Sequence, residues 1–263
     1  MDYSVLGTLA ARDGEIDRTP SAPKLRRVLA TLLLRANKLV LAETLAEELW
    51  QDNPPSSATA TLQTYIYQLR KSFGSDARSR ESIIRTRTEP SGYVLSADPD
   101  HLDLVRFQIL VREGRRALET NRPHQASSVL REALDLWQGP VFGGVVCGPV
   151  LQSHATFLEE ERMNALEMRI DADLQLGQHR ELVSELKTLV VAHPLHEWFH
   201  SRLMTALHWS SRQGEALDVY QCYRRRLRDE LGLEPGLEMQ RAQQDILNAG
   251  HPQQHAAVGL LTR

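Results

Sequence analysis

A small α+β domain followed by an all-α domain is the fold class this sequence predicts, and three observations predict it. Short β-prone runs around Gly-containing turns occupy both ends of residues 1–97. Between them lie three segments whose apolar residues fall at helical spacing. From residue 98 to about 250 helical periodicity runs almost unbroken, with helix–turn–helix units that recur.

The first domain begins with strands, Tyr3 to Ala10 and Glu15 to Thr19, around an Arg12-Asp13-Gly14 turn. After Pro23, residues Leu25, Val28, Leu29, Leu32 and Leu33 mark one face of a helix that Asn37 closes. Leu39-Val40-Leu41 is a short strand. A second helix carries Leu45, Leu49 and Trp50 and stops at Gln51-Asp52-Asn53-Pro54-Pro55, a strong breaker. Ser56 or Ser57 then caps a third helix with the stripe Ala58, Leu62, Ile66, Leu69 and Phe73. Residues 74–82 are loop-like. Ile83 to Arg87 and Tyr93 to Leu95 flank Glu89-Pro90-Ser91-Gly92 as a hairpin, with Gly92 letting the tip turn.

A short helix, a break, an amphipathic helix and a hairpin follow the logic of a winged helix-turn-helix. With Leu62, Ile66 and Leu69 facing the core, the opposite face of the third helix shows Ala60, Thr64, Tyr67 and Lys71, flanked by Ser57, Thr61, Gln63 and Gln68. Thr, Tyr and Gln hydrogen-bond base edges, and Lys meets phosphate. Arg85 and Arg87 share one face of the hairpin, suited to a minor groove of high negative potential. Lys24, Arg26 and Arg27 open the first helix, where phosphates are favoured. The competing reading is a small α+β platform whose polar helix face is merely solvated.

Composition permits this function without pointing to it. The 263 residues are 41% hydrophobic and 25% charged, which supports packed cores and excludes wholesale disorder. Net charge is −3, but residues 1–97 hold 13 basic against 11 acidic side chains while the remainder holds 18 against 23. No basic-then-apolar leader follows Met1, and the longest apolar stretch, Val28 to Leu34, is far too short to span a bilayer. Cys147 and Cys222 are too few for a disulfide framework or a cysteine-based zinc site. A cytoplasmic protein with no membrane partner is expected.

In the second domain, helices are expected around Leu104 to Leu118, Ala126 to Trp137, Leu151 to Leu176, and over 179–192, 195–212, 215–231 and 237–248, with a disordered tail at 251–263. Residues 139–148 form a Gly-rich loop. The segment after Leu176-Gly177 resembles that around Gly214, 37 positions on, and Arg122-Pro123-His124-Gln125-Ala126 is a more distant copy. That spacing is close to the tetratricopeptide period of about 34, so a tetratricopeptide-like helical repeat domain is expected. Trp137 and Trp209 read as core anchors and Cys147 as structural. Arg224, Arg225, Arg226 and Arg228 read as a helix face pairing with Asp229 and Glu230.

One motif argues for another class. His196-Glu197-Trp198-Phe199-His200 satisfies H-E-x-x-H, which on a helix offers two imidazoles and a general base to zinc. Against a zinc hydrolase, the extended motif fails at Leu203 and Ala206, Glu215 and Glu230 are poorly spaced as further ligands, and Phe199, Leu203 and Ala206 read as a core face. The structural reading is preferred, with no catalytic residue, metal or cofactor expected. A helical-repeat scaffold that binds protein is the remaining alternative.

Several short motifs occur in a telling order. They are Val5-Leu6-Gly7, then Pro23-Lys24-Leu25-Arg26-Arg27-Val28-Leu29-Ala30, Glu48-Leu49-Trp50 before Pro54-Pro55, Leu62-Gln63-Thr64-Tyr65-Ile66 with Leu69-Arg70, and Gly92-Tyr93. Ala133-Leu134-Asp135-Leu136-Trp137-Gln138-Gly139-Pro140, His193-Pro194-Leu195 and Glu230-Leu231-Gly232-Leu233-Glu234-Pro235-Gly236 follow. Across residues 3–250 the sequence resembles the Streptomyces antibiotic regulatory proteins, pathway-specific activators of antibiotic gene clusters. The resemblance implies an OmpR-type winged helix-turn-helix at 1–97, of the kind found as two-component effector domains, and a bacterial transcriptional activation domain at 98–250. It implies a recognition helix at 57–73 and a wing at 83–95, with Arg70 and Tyr93 among the phosphate and wing contacts. The turn Trp50, Gln51, Asp52 and Asn53 is implied to contact RNA polymerase holoenzyme. Promoter direct repeats in double-stranded DNA are the implied target, bound by two copies side by side, head to tail. Gln68 stands where relatives often carry Arg, so a different half-site is expected. No glycine-rich phosphate loop and no phospho-receiver domain is matched.

Overall fold

The computed structural model describes residues 1–74, 84–88 and 91–249. The expected tail from His251, the Glu89-Pro90 tip and most of the 74–82 loop lie outside them. The chain clusters into two compact units, Met1–Arg169 and Ile170–Arg263, so the helical stretch after Ala97 is shared between them.

In the first unit, β1 (Asp2–Ser4), β2 (Ala10–Asp13) and β3 (Ile16–Asp17) form an antiparallel meander, with Tyr3 opposite Ala11 and Asp13 opposite Ile16. Gly14, at φ +59°, supplies the left-handed residue that the β2–β3 turn requires. The expected first strand is shorter than its sequence suggests. Val5 to Leu9 leave the meander because their backbone groups bond elsewhere. Gln138 donates to the Leu6 carbonyl (2.8 Å), Phe142 to Val5 (2.9 Å) and Gly143 to Gly7 (2.7 Å), while Leu9 donates to Gly143 (3.1 Å). Two motifs more than 130 positions apart in sequence thus form one hydrogen-bonded seam.

Helices α1 (Pro23–Leu34), α2 (Ala42–Trp50) and α3 (Ala58–Ser72) follow, with β4 (Val40–Leu41) before α2. Strands β5 (Ile84–Thr88) and β6 (Ser91–Leu95) complete a sheet of order β4-β6-β5. Val28, Leu32, Leu45, Leu62, Ile66 and Leu69 are fully or almost fully buried, so the helical stripes form the core as their spacing predicts. Asn37, at φ +66°, ends the α1 turn, and its side-chain amide pairs with both backbone groups of Ala97. Ser57 holds the N-cap position of α3 but makes no side-chain capping bond.

Gly92 does not turn the hairpin tip. It sits inside β6 opposite Leu41, and a Cβ there would lie 2.4 Å from the Val40 carbonyl oxygen. Close approach of β4 to β6 is what requires glycine. Gly92→Ala is therefore expected to cost about 1–3 kcal/mol, the usual penalty of overpacking. A denaturation midpoint equal to that of the parent protein would mean that the β4–β6 contact is not a constraint.

Helices α4 (Asp103–Glu119) and α5 (Pro123–Asp135) pack as a hairpin in which Gly114 faces Leu130, and α6 (Pro149–Gln175) follows the Gly-rich loop. Trp137 is buried as expected, edge-on to Phe107 at 5.3 Å. In the second unit, α7 (His179–Ala192), α8 (Glu197–Trp209), α9 (Gln213–Leu231) and α10 (Leu237–Ala249) pack in succession.

The repeat is real, but its register differs from the glycine alignment. Asn121, Gly177 and Ser211 have positive φ. The next residue in each case donates back five positions, Arg122 to Ala117, Gln178 to Asp173 and Arg212 to Leu207. This is the Schellman helix ending, and a new helix starts one residue later. Gly177 and Ser211 are 34 positions apart, the tetratricopeptide period, whereas Gly214 lies inside α9. Trp209 is a correction: it is 66% exposed and stacks on His179 instead of anchoring a core. It lies at the end of α8, at the turn before α9.

The H-E-x-x-H residues serve this packing. His196 is the N-cap of α8 with extended backbone, so it does not share a helical face with His200. His200 is buried, its Nε2 is 3.1 Å from the Pro194 carbonyl oxygen, and burial lowers its pKa. The Glu197 carboxylate accepts from the Gly236 N–H (2.9 Å) and the Tyr223 hydroxyl (3.4 Å), joining α8 to the start of α10. Phe199, Leu203 and Ala206 form the buried face that their spacing predicts. Arg226 pairs with Glu230, while Arg224 and Arg228 both reach Glu234.

Candidate nucleic-acid interface

Helix α3 presents two unlike faces. Leu62, Ile66 and Leu69 are buried, whereas Ala60, Gln63, Thr64, Tyr67, Gln68 and Lys71 are exposed and Thr61 is half-buried. Tyr67 is 55% exposed, unusual for a ring of that size and available for a flat partner. The Thr64 hydroxyl donates to the Ala60 carbonyl at 2.9 Å, which turns its lone pairs and methyl outward. A base edge offering a donor or a methyl group would meet complementary chemistry there.

The wing pairs β5 with β6 in a register that sets Thr86 opposite Tyr93 and Arg87 opposite Gly92. Ile84 is buried; Arg85 and Arg87 are exposed, and an Arg85 nitrogen donates to the Ser96 hydroxyl at 3.1 Å. Tyr93, expected among the wing contacts, faces inward. It is 6% exposed on the inward face of β6 with Leu95, and burial holds its phenol above the usual pKa against the opposing pull of Arg70. Period-two alternation makes it core.

Arg26, Arg27 and Arg70 are half-buried and bond to backbone carbonyls of the protein. Arg26 donates from Nε to Gly144 O (3.2 Å) and from a terminal nitrogen to Gly143 O (3.3 Å). Arg27 donates to Glu48 O (3.2 Å) and Leu49 O (3.4 Å), carbonyls at the C-terminal end of α2 that lack helical partners. Both therefore spend donors on the protein's own backbone carbonyls. Arg70 reaches the wing, donating to Ile84 O (2.9 Å) and Thr86 Oγ1 (2.8 Å). Lys24, Lys71, Arg85 and Arg87 remain exposed.

The turn after α2 is exposed from Gln51 to Ser57. Gln51 has φ +53° with ψ −128°, a conformation that L side chains rarely adopt, and its N–H bonds Glu47 O while Asn53 N–H bonds Trp50 O. Trp50 is half-buried, and the Lys24 ammonium lies 5.8 Å from its ring centroid.

Two family models match the chain. Residues 17–95 match that of the C-terminal domain of transcriptional regulatory proteins, and residues 102–247 match that of the bacterial transcriptional activator domain. The regulatory protein DnrI of Streptomyces peucetius is 39% identical over 95% of this chain and 93% of its own length. The chain belongs to the Streptomyces antibiotic regulatory protein family. It is also 43% identical to the regulatory protein AfsR of Streptomyces coelicolor, of which it spans 24%. Its structure is similar to that of Mycobacterium tuberculosis EmbR, solved with a low-affinity phosphopeptide, with a TM-score of 0.86 at 32% identity, covering 94% of this chain and 65% of that one. Proteins of the family are transcriptional activators with a DNA-binding winged helix-turn-helix. Among the described residues, no helix is long and apolar enough to cross a membrane.

Two residues of this family member have roles that the sequence did not reveal, Glu48 and Asp103. The Glu48 side chain is wholly buried and accepts from the N–H groups of Gly148 (2.5 Å) and Leu151 (3.0 Å), capping α6. Asp103 accepts from Val5, Leu6 and Leu104, while burial raises its pKa. A carboxylate beside Leu45 and Leu49 on an apolar helix face was the available signal for Glu48.

Proposed function

We propose that this chain is a sequence-specific activator of an antibiotic or other secondary-metabolite gene cluster, and not an enzyme. It reads promoter direct repeats with α3 in the major groove and the wing along the adjacent minor groove. The observation that carries this reading is the exposed Thr64, Tyr67, Gln68 and Lys71 face of α3, backed by a buried Leu62, Ile66 and Leu69 face and flanked by Arg85 and Arg87. Thr61 stands at its edge. Two copies lie side by side, head to tail, because a direct repeat presents the same groove face twice in one orientation.

Selection from a random DNA pool at near-physiological salt tests the reading. Enrichment of a short motif repeated head to tail near one helical turn is expected. Binding without enrichment that vanishes with salt would overturn it. RNA polymerase holoenzyme is recruited through the turn Trp50 to Asn53, half-buried at Trp50 and exposed from Gln51. Trp50→Ala is expected to leave binding to the selected duplex unchanged while lowering transcript yield in a reconstituted reaction. Equal loss of both would make Trp50 a core residue only.

A further inference from the structure

We infer that Arg70 is a positioning residue that sets the wing against the recognition helix, so that Arg87 reaches DNA only while Arg70 holds β5. The inference rests on the docking reading above. Arg70 lies in the last turn of α3, between the buried Leu69 and the exposed Lys71. Its guanidinium takes two acceptors on β5, one backbone (Ile84 O, 2.9 Å) and one side-chain (Thr86 Oγ1, 2.8 Å). A planar fork with two fixed acceptors defines an orientation, which a single bond from a flexible ammonium does not.

Strand alternation carries that orientation to the surface. Ile84 and Thr86 belong to one face of β5, Arg85 and Arg87 to the other. Pairing with β6 sets the register of β5, and β6 in turn is held on β4 through Val40 and Tyr93. The buried Ile84, Tyr93 and Leu95 seat the sheet on the core, but neither pairing joins β5 to α3. Arg70 bonds the recognition helix directly to β5, and Thr86, the residue it grips, is the neighbour of both exposed arginines.

The salt dependence of binding tests this on the full chain, with a duplex from the top of the selected pool as probe. Each phosphate contact contributes about 0.9 to the slope of log K against log salt, roughly a threefold change between 50 and 200 mM. Arg87→Ala is expected to flatten the slope by about that amount, Arg70→Ala at least as much, and the double variant no further than Arg70→Ala alone. Thr86→Val keeps every charge and should still flatten the slope by part of that amount. A strictly additive double variant, with Thr86→Val at the parent slope, would overturn the inference and make Arg70 a phosphate contact itself. If Arg87→Ala leaves the slope of the parent protein unchanged, the docking reading fails and the inference with it. Should Arg70→Ala not fold, Thr86→Val combined with Arg87→Ala decides the matter: a loss smaller than the sum of the two supports the inference, and additivity overturns it.

Discussion

Glu48→Ala is expected to destabilise the first unit by about 3–5 kcal/mol, the range found when one partner of a buried charged network is removed. The carboxylate is wholly buried, accepts two N–H groups at the start of α6, and lies 3.8 Å from Arg27 Nε. Those N–H groups have no helical partner, and the helix N-terminus favours negative charge. Alanine would leave two donors and part of a guanidinium facing a void. Gly148 adds to the constraint, because a Cβ there would lie 2.2 Å from the Glu48 carbonyl oxygen. Urea unfolding followed by circular dichroism checks the expectation. A loss below about 1 kcal/mol would mean that water replaces the carboxylate at no great cost.

Tyr67→Ala is expected to weaken binding to the selected duplex by ten- to a hundredfold, about 1–3 kcal/mol, while barely changing affinity for mixed-sequence DNA. The ring is exposed at the centre of the outward face of α3. Tyr67→Phe separates hydroxyl from ring: loss confined to the hydroxyl points to a hydrogen bond, retained affinity to stacking or methyl contact. Thr64→Ala should relax preference at a single base position, since its hydroxyl already donates within the helix. Equal weakening on all DNA would reassign Tyr67 to phosphate. No change in either variant would mean that another face docks.

Among the residues expected to meet DNA, the structure separates those left exposed from those engaged by the protein itself. Leu62, Ile66 and Leu69 are buried as their spacing requires, and Thr64, Tyr67 and Lys71 are exposed opposite them. Arg26, Arg27 and Tyr93 sit in the expected elements but serve the protein's own packing. Arg70 grips the wing. For Tyr93 the strand alternation with Leu95 was already visible and outweighs the polar hydroxyl. For the arginines nothing local distinguishes a side chain that meets phosphate from one that meets a carbonyl.

The sequence by itself determined the order of elements, the apolar face of each helix, the break before α3 and the repeating helical pairs. These follow from periodicity and turn chemistry, which act over a few residues. Only the tertiary structure decided where the charges go. Glu48 meets Gly148 and Leu151, Asp103 meets Val5 and Leu6, and Arg26 meets Gly143 and Gly144, partners about 100 positions distant. A side chain at the border of a helix face is as well served by water as by a buried carbonyl until folding brings the carbonyl near and excludes the water.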